Sequence, residues 1–203
     1  RDSSETIYRH LVEDVFGLDE GDVVTESIHV YVTVMGESAR PILLKAHLPE
    51  AKPWYSYKKE ERLADIEAFK QELYQLLKKV FDAPNSEASS HLANAICHLS
   101  REITHKHPDA QKSIYCYSDG IEQSEIIDFA DYQLDIKRFR EDFEMISDKL
   151  NTSCELPVMD GIEFKLLNSP KSGGGQFIIA CSQFWDYHLS RSGAEFRVSS
   201  NAL

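Results

Sequence analysis

Hydrophobic residues recur along the chain with two different spacings. A repeat of about 3.6 residues predicts amphipathic helices, whereas dense runs of β-branched residues predict strands. The predicted helices are Glu5–Phe16, Lys58–Phe81, His91–Thr104, Leu134–Leu150 and Gln176–Ser192. The predicted strands are Ser27–Met35, Pro41–Leu48, Lys112–Tyr117, Gly161–Leu167 and Glu195–Ser199.

The order of these elements predicts an α/β fold. The first two strands are joined by a short turn at Gly36, so they must be antiparallel, because a parallel return needs a crossover of about a dozen residues. After His91 helices and strands alternate, which is typical of a parallel sheet covered by helices on both faces. We therefore expect a three-layer α-β-α arrangement, with a mostly parallel central sheet and one antiparallel edge strand. The last three predicted strands are expected to lie parallel in that sheet.

No internal repeat or low-complexity linker interrupts residues 1–203, so a single domain is expected. Its formal net charge of −12 argues against a nucleic-acid backbone as partner. The same charge fits a cation site and is equally explained by solubility. No apolar run approaches the ~20 residues needed to span a membrane. The partner is therefore expected to be neither nucleic acid nor a lipid bilayer core.

The cysteines predict neither a zinc site nor a redox motif, because none of them forms a C-x-x-C pair. Cys97, Cys116 and Cys181 lie in apolar stretches, where a free thiol behaves as a small hydrophobic side chain. We predict that these three are reduced core residues. Reduced cysteines favour the cytoplasm, but they are also compatible with an exported protein, so the compartment stays open.

Polar clusters stand where the predicted fold would gather loops. Asp2, Ser4 and Thr6 alternate at the start of the first helix, Ser90 precedes another helix, and Asp119 follows a predicted strand. Hydroxyl and carboxylate oxygens are the hard ligands that suit an octahedral Mg²⁺ or Mn²⁺ ion. The alternative is structural: Ser4 and Ser90 would be helix N-caps, and Ser118-Asp119-Gly120 a turn. The acidic residues that follow are expected to form a solvated face (Glu122, Glu125, Asp128 and Asp131).

These clusters resemble the motifs of the von Willebrand factor type A family. The family's metal-ion-dependent adhesion site uses Asp-x-Ser-x-Ser, a distant Thr or Ser, and a later Asp. Asp2-x-Ser4-x-Thr6 is similar to the first motif. Ser90, six residues before Ile96, stands at the second, with Ser89 as the alternative hydroxyl. Asp119 in Ser118-Asp119-Gly120 resembles the third. The element order is also similar, over nearly the whole chain, and bacterial members of the family offer the nearest likeness.

The resemblance implies a Mg²⁺ (or Mn²⁺) site in which Asp2, Ser4, Thr6, Ser90 and Asp119 converge, with Asp119 acting through a water. The implied function is cation-dependent binding of a protein ligand that offers an acidic residue, in adhesion or assembly, and not catalysis. The family's first motif follows a central hydrophobic strand, so we expect such a strand upstream of Arg1.

Two other functions remain open from the sequence. One is a metal-dependent hydrolase using Asp2, Asp119 and Glu122, which would need several carboxylates to hold a metal-activated water. Hydroxyls outnumber carboxylates in the predicted set, which favours binding over chemistry. The other is a degenerate family member that binds no metal and serves as a scaffold.

Overall fold

The structure is a computed structural model that describes residues 3–18, 23–33, 43–52, 58–82, 90–167 and 175–199. The chain divides into two compact units, and each is described by itself. The first unit holds the described residues up to 82, and the second holds those from 90 onward. This division into compact units does not test the expectation of a single domain over residues 1–203, which stays a prediction.

The first unit begins with helix α1 (Ser3–Arg9), which continues as a π-helical segment over His10–Val15. These two segments correspond to the single helix predicted for Glu5–Phe16. The amide of Phe16 donates to the carbonyl of Leu11 at 2.9 Å, five residues back, as a π-helix requires. Gly17 follows with φ of +58°, a left-handed conformation that ends the helix and that L-residues rarely adopt.

A hairpin follows, formed by β1 (Ile28–Thr33) and β2 (Leu43–Leu48). The strands are antiparallel in the register Ile28↔Leu48 to Thr33↔Leu43, which confirms the predicted pairing. The outer ends of the predicted strands, residues 34–35 and 41–42, lie outside the described residues. Alternation along the strands buries one face (Val30, Ala46 and Leu48) and leaves the other face toward solvent.

Helix α2 (Lys59–Asp82) packs against α1 and β2. Its spacing predicts an apolar stripe in which Leu63 and Val80 are half-buried and the other members are buried (Ile66, Phe69, Leu73, Leu76 and Leu77). Arg62 is also buried, which the pattern did not predict. Its guanidinium donates to the backbone carbonyls of Val24 at 2.7 Å, Pro49 at 2.6 Å and Glu26 at 3.1 Å. These bonds hold the segments that enter β1 and leave β2, and they satisfy a charge that burial would otherwise make costly.

The second unit contains helix α3 (Leu92–Lys106), β3 (Lys112–Tyr117), a 3₁₀ turn (Phe129–Tyr132), α4 (Ile136–Glu141), α5 (Phe143–Ser153), β4 (Ile162–Leu167), α6 (Gly175–Ser190) and β5 (Glu195–Ser199). The strands form one sheet in the order β3-β4-β5, and both pairs are parallel. The predicted set of three parallel strands is therefore confirmed. The mixed α/β class is confirmed with it.

The predicted junction between hairpin and parallel sheet is not found among the described residues. There, β1 pairs with β2, and β3, β4 and β5 form a separate sheet. The single mostly parallel sheet with an antiparallel edge strand is thus corrected to two sheets in the described part of the chain. Within the first unit α2 packs against β2, and the hairpin buries its apolar face there.

The predicted helix Leu134–Leu150 is in fact two helices. Asp135 caps α4, with its Oδ1 accepting the amide of Arg138 at 3.0 Å, and Leu134 before it is fully exposed. Asp142 interrupts the helix with φ of −90° and ψ of 2°, and α5 begins at the next residue. Periodicity alone did not reveal this break, because both helices bury residues of one apolar stripe (Phe139, Ile146 and Leu150).

Aromatic residues form the core where α4 and α6 meet the 3₁₀ turn. The ring centroids of Phe129 lie 4.9 Å from Phe139 and 5.0 Å from Phe184, in edge-to-face contacts. Trp185 lies 5.3 Å from Phe184 and is 1% exposed. In the described part of the chain, no helix is long and apolar enough to cross a membrane.

A buried polar chain connects α5 with α6. Ser147 and His188 are both buried, with Ser147 Oγ 2.9 Å from His188 Nδ1. Ser147 Oγ also accepts from Arg191 at 3.1 Å, so its own proton is available to donate to the imidazole. Burial, aided by the Arg191 charge, lowers the pKa of His188 from 6.5 to about 4. The imidazole is therefore neutral in the folded protein at pH 7.

We predict that His188 makes the protein less stable in mild acid. The unfolded chain takes up this proton near pH 6.5 and the folded chain only near pH 4, so the stabilisation is complete above 6.5 and is lost as pH falls toward 4. The expected loss is about 3 kcal/mol in the free energy of unfolding. Urea unfolding of wild type and His188→Asn from pH 7 to pH 4 measures it, because Asn keeps an acceptor for Ser147 without titrating.

Between pH 7 and pH 4, the free energy of unfolding of His188→Asn should fall by about 3 kcal/mol less than that of wild type. His105→Gln, at an exposed position, is the control and should follow the wild-type curve. Equal slopes for wild type and His188→Asn would contradict the assignment.

The cysteines differ from the prediction at one position. Cys97 in α3 forms a disulfide with Cys154, which follows α5, so its prediction as a reduced core thiol is wrong. Cys116 and Cys181 are free and buried, as predicted. Burial, with a smaller contribution from the nearby Asp119 charge, raises the pKa of both thiols to about 12, so they are protonated and poorly nucleophilic. The disulfide removes the argument for a reducing compartment, which required all three thiols to be free.

Candidate functional site

The loop after β3 carries the third motif at the carboxyl end of the parallel sheet. The amide of Ser118 donates to the carbonyl of Leu167 at the end of β4, at 3.3 Å. Ser118 Oγ accepts from the amide of Gly120 at 3.1 Å, and Asp119 Oδ1 accepts from the amide of Ile121 at 3.1 Å. Ser and Asp side chains commonly form turns of this kind. The turn predicted as the structural alternative for Ser118-Asp119-Gly120 is therefore observed.

Gly120 is required at its position in this loop. Its φ is +78°, and an added Cβ would lie 3.3 Å from Cδ2 of Leu166 and 3.4 Å from Cδ1 of Trp185. The carbonyl of Gly120 accepts from Trp185 Nε1 at 2.7 Å in a buried hydrogen bond. The loop is therefore held against both β4 and α6, and its conformation is set by the core.

The second motif lies beside this loop. Ser90 and Gln123 form an isolated antiparallel bridge, with amide-to-carbonyl distances of 3.1 and 2.9 Å in the two directions. The structural alternative for Ser90, an N-cap, is not observed: His91 occupies the capping position of α3 and makes no capping hydrogen bond through its side chain. The structure thus brings together the segments that carry Ser90 and Asp119.

Glu122 supplies the cap that His91 lacks. Its Oε2 accepts from the amide of Ala93 at 2.8 Å, and the Leu92 amide and the Ser124 side chain contribute further hydrogen bonds. The side chain is 1% exposed, so its prediction as part of a solvated face is wrong. Burial raises the pKa of Glu122 to about 7, and the hydrogen bonds oppose that rise.

The sequence did not predict that Glu122 caps α3, because the side chain and the amide of Ala93 are 29 residues apart and leave no local signal. The first amides of a helix need acceptors, and Ser90-His91 offers no N-cap at the required position. A missing local cap is the one signal that could have suggested a distant acceptor. The rest of the predicted acidic face is exposed or half-buried, and Asp128 caps the 3₁₀ turn through the amide of Ala130 at 2.8 Å.

The five predicted ligands fall in different parts of the chain. Ser90 and Asp119 belong to the second unit and are both half-buried. Ser4 and Thr6 lie in α1 of the first unit, where Ser4 is fully buried and Thr6 is half-buried. Asp2 lies outside the described residues, as does Ser89, the alternative second-motif hydroxyl. Convergence of all five in one coordination sphere stays a prediction.

The electrostatics at Asp119 suit a cation. The described residues include no Lys or Arg that forms an ion pair with Asp119, and its negative charge contributes to the raised pKa of Cys116 and Cys181. No group of three or more His, Cys, Asp or Glu side chains within the described ranges is placed to hold a metal ion. The predicted set consists mainly of hydroxyls, so that finding does not bear on it.

Comparison of the sequence with models of protein families, with curated proteins and with solved structures finds no match in any of the three. The resemblance to the von Willebrand factor type A family therefore enters as a proposal.

Proposed function

We propose that this chain is a von Willebrand factor type A-like module that binds a protein ligand through Mg²⁺ or Mn²⁺ at the carboxyl end of its parallel sheet. The observation that supports the proposal is the backbone pairing of Ser90, just before α3, with Gln123, which follows Asp119 in the same loop. In parallel α/β sheets, ligands bind beyond the carboxyl ends of the strands.

The chemistry of the loop supports a hard cation. Asp119 has one oxygen in the turn and no ion-pair partner among the described residues, so a bound dication would neutralise its charge. Ser90 adds a hydroxyl oxygen on the neighbouring segment. An ion held by few protein ligands keeps water positions, and an acidic side chain of a partner replaces one of those waters.

The hydrolase alternative gains no support from Glu122, the third carboxylate it would use. That side chain is buried and its Oε2 accepts the amide of Ala93 at the start of α3, so it is engaged as a cap. The scaffold alternative differs from the proposal in one measurable respect, which is whether the folded protein binds Mg²⁺ at all.

Asp119→Asn should weaken Mg²⁺ and Mn²⁺ binding by about 10-fold or more, because it removes the ligand charge and keeps an acceptor for the Ile121 amide. Stability should change little, since the turn is retained. Calorimetric titration of wild type and variant with MgCl₂ and MnCl₂ measures the effect. Asp109→Asn is the matched control: it removes an exposed carboxylate from the turn before β3, at the opposite end of the strand, and should bind as wild type does.

Absence of binding by wild type at millimolar Mg²⁺ and Mn²⁺ would establish the scaffold alternative in place of this function. Asp2→Asn tests the first motif independently. Equal losses in Asp2→Asn and Asp119→Asn would assign both motifs to one ion, whereas a loss only in Asp119→Asn would limit the site to the second unit.

A further inference from the structure

Two histidines face each other on the exposed side of the hairpin in the first unit. His29 on β1 and His47 on β2 are register partners, and both side chains are exposed. Their rings are stacked, with centroids 4.0 Å apart and an angle of 13° between the planes. Cross-strand neighbours of this kind are held close by the backbone pairing itself.

The same nitrogen of each ring points to one position in space. His29 Nε2 lies 3.2 Å and His47 Nε2 lies 3.1 Å from the hydroxyl oxygen of Ser27. Ser27 Oγ donates its only proton to the carbonyl of Leu48, at 3.1 Å, so each Nε2 hydrogen-bonds to this oxygen as a donor. Two ring nitrogens therefore converge on a single oxygen at the surface.

We propose that His29 and His47 form a binding site for a borderline divalent transition-metal ion, of the class of Zn²⁺, Ni²⁺ and Cu²⁺. Imidazole nitrogen is a preferred ligand of these ions. In the stacked arrangement the in-plane lone-pair directions of the two Nε2 atoms are nearly parallel, so both rings must turn about the Cβ–Cγ bond before one ion lies about 2.1 Å from each nitrogen. Each Nε2 also gives up its proton, which moves to Nδ1 of the same ring. Water, or a donor from a binding partner, completes the coordination shell, because the described residues hold no third His, Cys, Asp or Glu in the cluster.

The hairpin is preorganised for this role. Arg62 holds the backbone on both sides of the pair through the carbonyls of Val24, Glu26 and Pro49. Lys45, two residues before His47 on the same strand, is directed to the ring of Tyr31, with Nζ 5.1 Å from the centroid. The backbone that carries the two ligands is thus fixed before the ion enters, and only the imidazole rings have to turn.

This site is independent of the proposed Mg²⁺ site. It lies in the first unit, uses nitrogen ligands and selects a softer ion, whereas Ser90 and Asp119 offer oxygen. Either site can fail without affecting the other, and the two are distinguished by the ion that binds.

The test is calorimetric titration of the protein, carrying no histidine tag, with ZnCl₂ and NiCl₂. His29→Gln and His47→Gln should each weaken binding by about 10-fold or more, because one remaining imidazole cannot chelate. His105→Gln is the matched control, since it removes an exposed histidine that stands near His107 and leaves the hairpin pair intact. Wild type and control should bind alike, and Zn²⁺ should raise the melting temperature of both.

Wild-type protein that binds neither ion at about 1 mM would overturn the proposal and leave the pair as a stacking contact of the hairpin. Unchanged affinity in both His29→Gln and His47→Gln would overturn it as well, by placing the bound ion elsewhere. The separation from the proposed function is checked with the same proteins: His47→Gln should keep its Mg²⁺ response, and Asp119→Asn should keep its Zn²⁺ affinity.

Discussion

Replacing both Cys97 and Cys154 by Ala should lower the free energy of unfolding by about 4 kcal/mol, the estimate from loop-closure entropy for this separation. The disulfide links residues 57 positions apart and thereby joins α3 to the end of α5. It restricts the unfolded chain far more than the folded one, which is the main source of its effect. Ala is preferred to Ser because Cys97 is 1% exposed, and a hydroxyl there would be buried.

Chemical denaturation with and without a reductant provides the matched control. Reductant should destabilise wild type by about the same 4 kcal/mol and leave the Ala variant unchanged. Thiol titration of the unfolded protein checks the pairing: without reductant only Cys116 and Cys181 should react, and with it all four cysteines should react. Four reactive thiols in the unreduced protein would show that the bond is not formed.

Trp185→Ala should lower the free energy of unfolding by about 4 kcal/mol, as expected when a large aromatic side chain is removed from a core. Trp185 is 1% exposed and packs beside Phe129 and Phe184. The truncation leaves a cavity at this position and also removes the hydrogen bond to the carbonyl of Gly120. The loop that carries Asp119 would then lose its anchor on α6.

Trp185→Phe separates these two effects. It keeps most of the apolar contact and removes only the indole donor, so its expected effect is about 1–2 kcal/mol, largely from the unsatisfied carbonyl of Gly120. Urea denaturation measures both variants. If the Asp119 loop binds Mg²⁺ as proposed, Trp185→Phe should also weaken that binding while the protein stays folded. A loss below about 1 kcal/mol for Trp185→Ala would contradict the packing described for this residue.

Local patterns predicted most of the elements of both units. β3 and β5 were predicted at their observed bounds, and β4 within one residue, because dense β-branched and aromatic runs bounded by turns are a strong strand signal. Their parallel pairing followed from the helices between them. α2 was predicted within one residue at each end, because its apolar stripe persists over many turns.

The candidate site was predictable only as a set of short motifs. The sequence placed Asp119 after a strand and Ser90 before a helix, and the structure pairs Ser90 with Gln123 in the loop that follows Asp119. Asp2 lies outside the described residues, and Ser4 and Thr6 belong to the other unit, so their share in the site stays a prediction. The motifs are short because a metal site needs only a few oxygens, and those residue types also occur as caps and turns.

The sequence by itself determined the strands, the hairpin, the direction of the parallel strands and the helices apart from the break at Asp142, because each depends on patterns within a few neighbouring residues or on the length of a connection. Only the tertiary structure decided that Glu122 caps α3, that Cys97 pairs with Cys154, that Arg62 joins the ends of the hairpin, and that His29 stacks on His47. Each of these contacts joins residues distant in the chain. Their partners are selected by burial and by the need to satisfy buried polar groups, which exist only once the chain is folded.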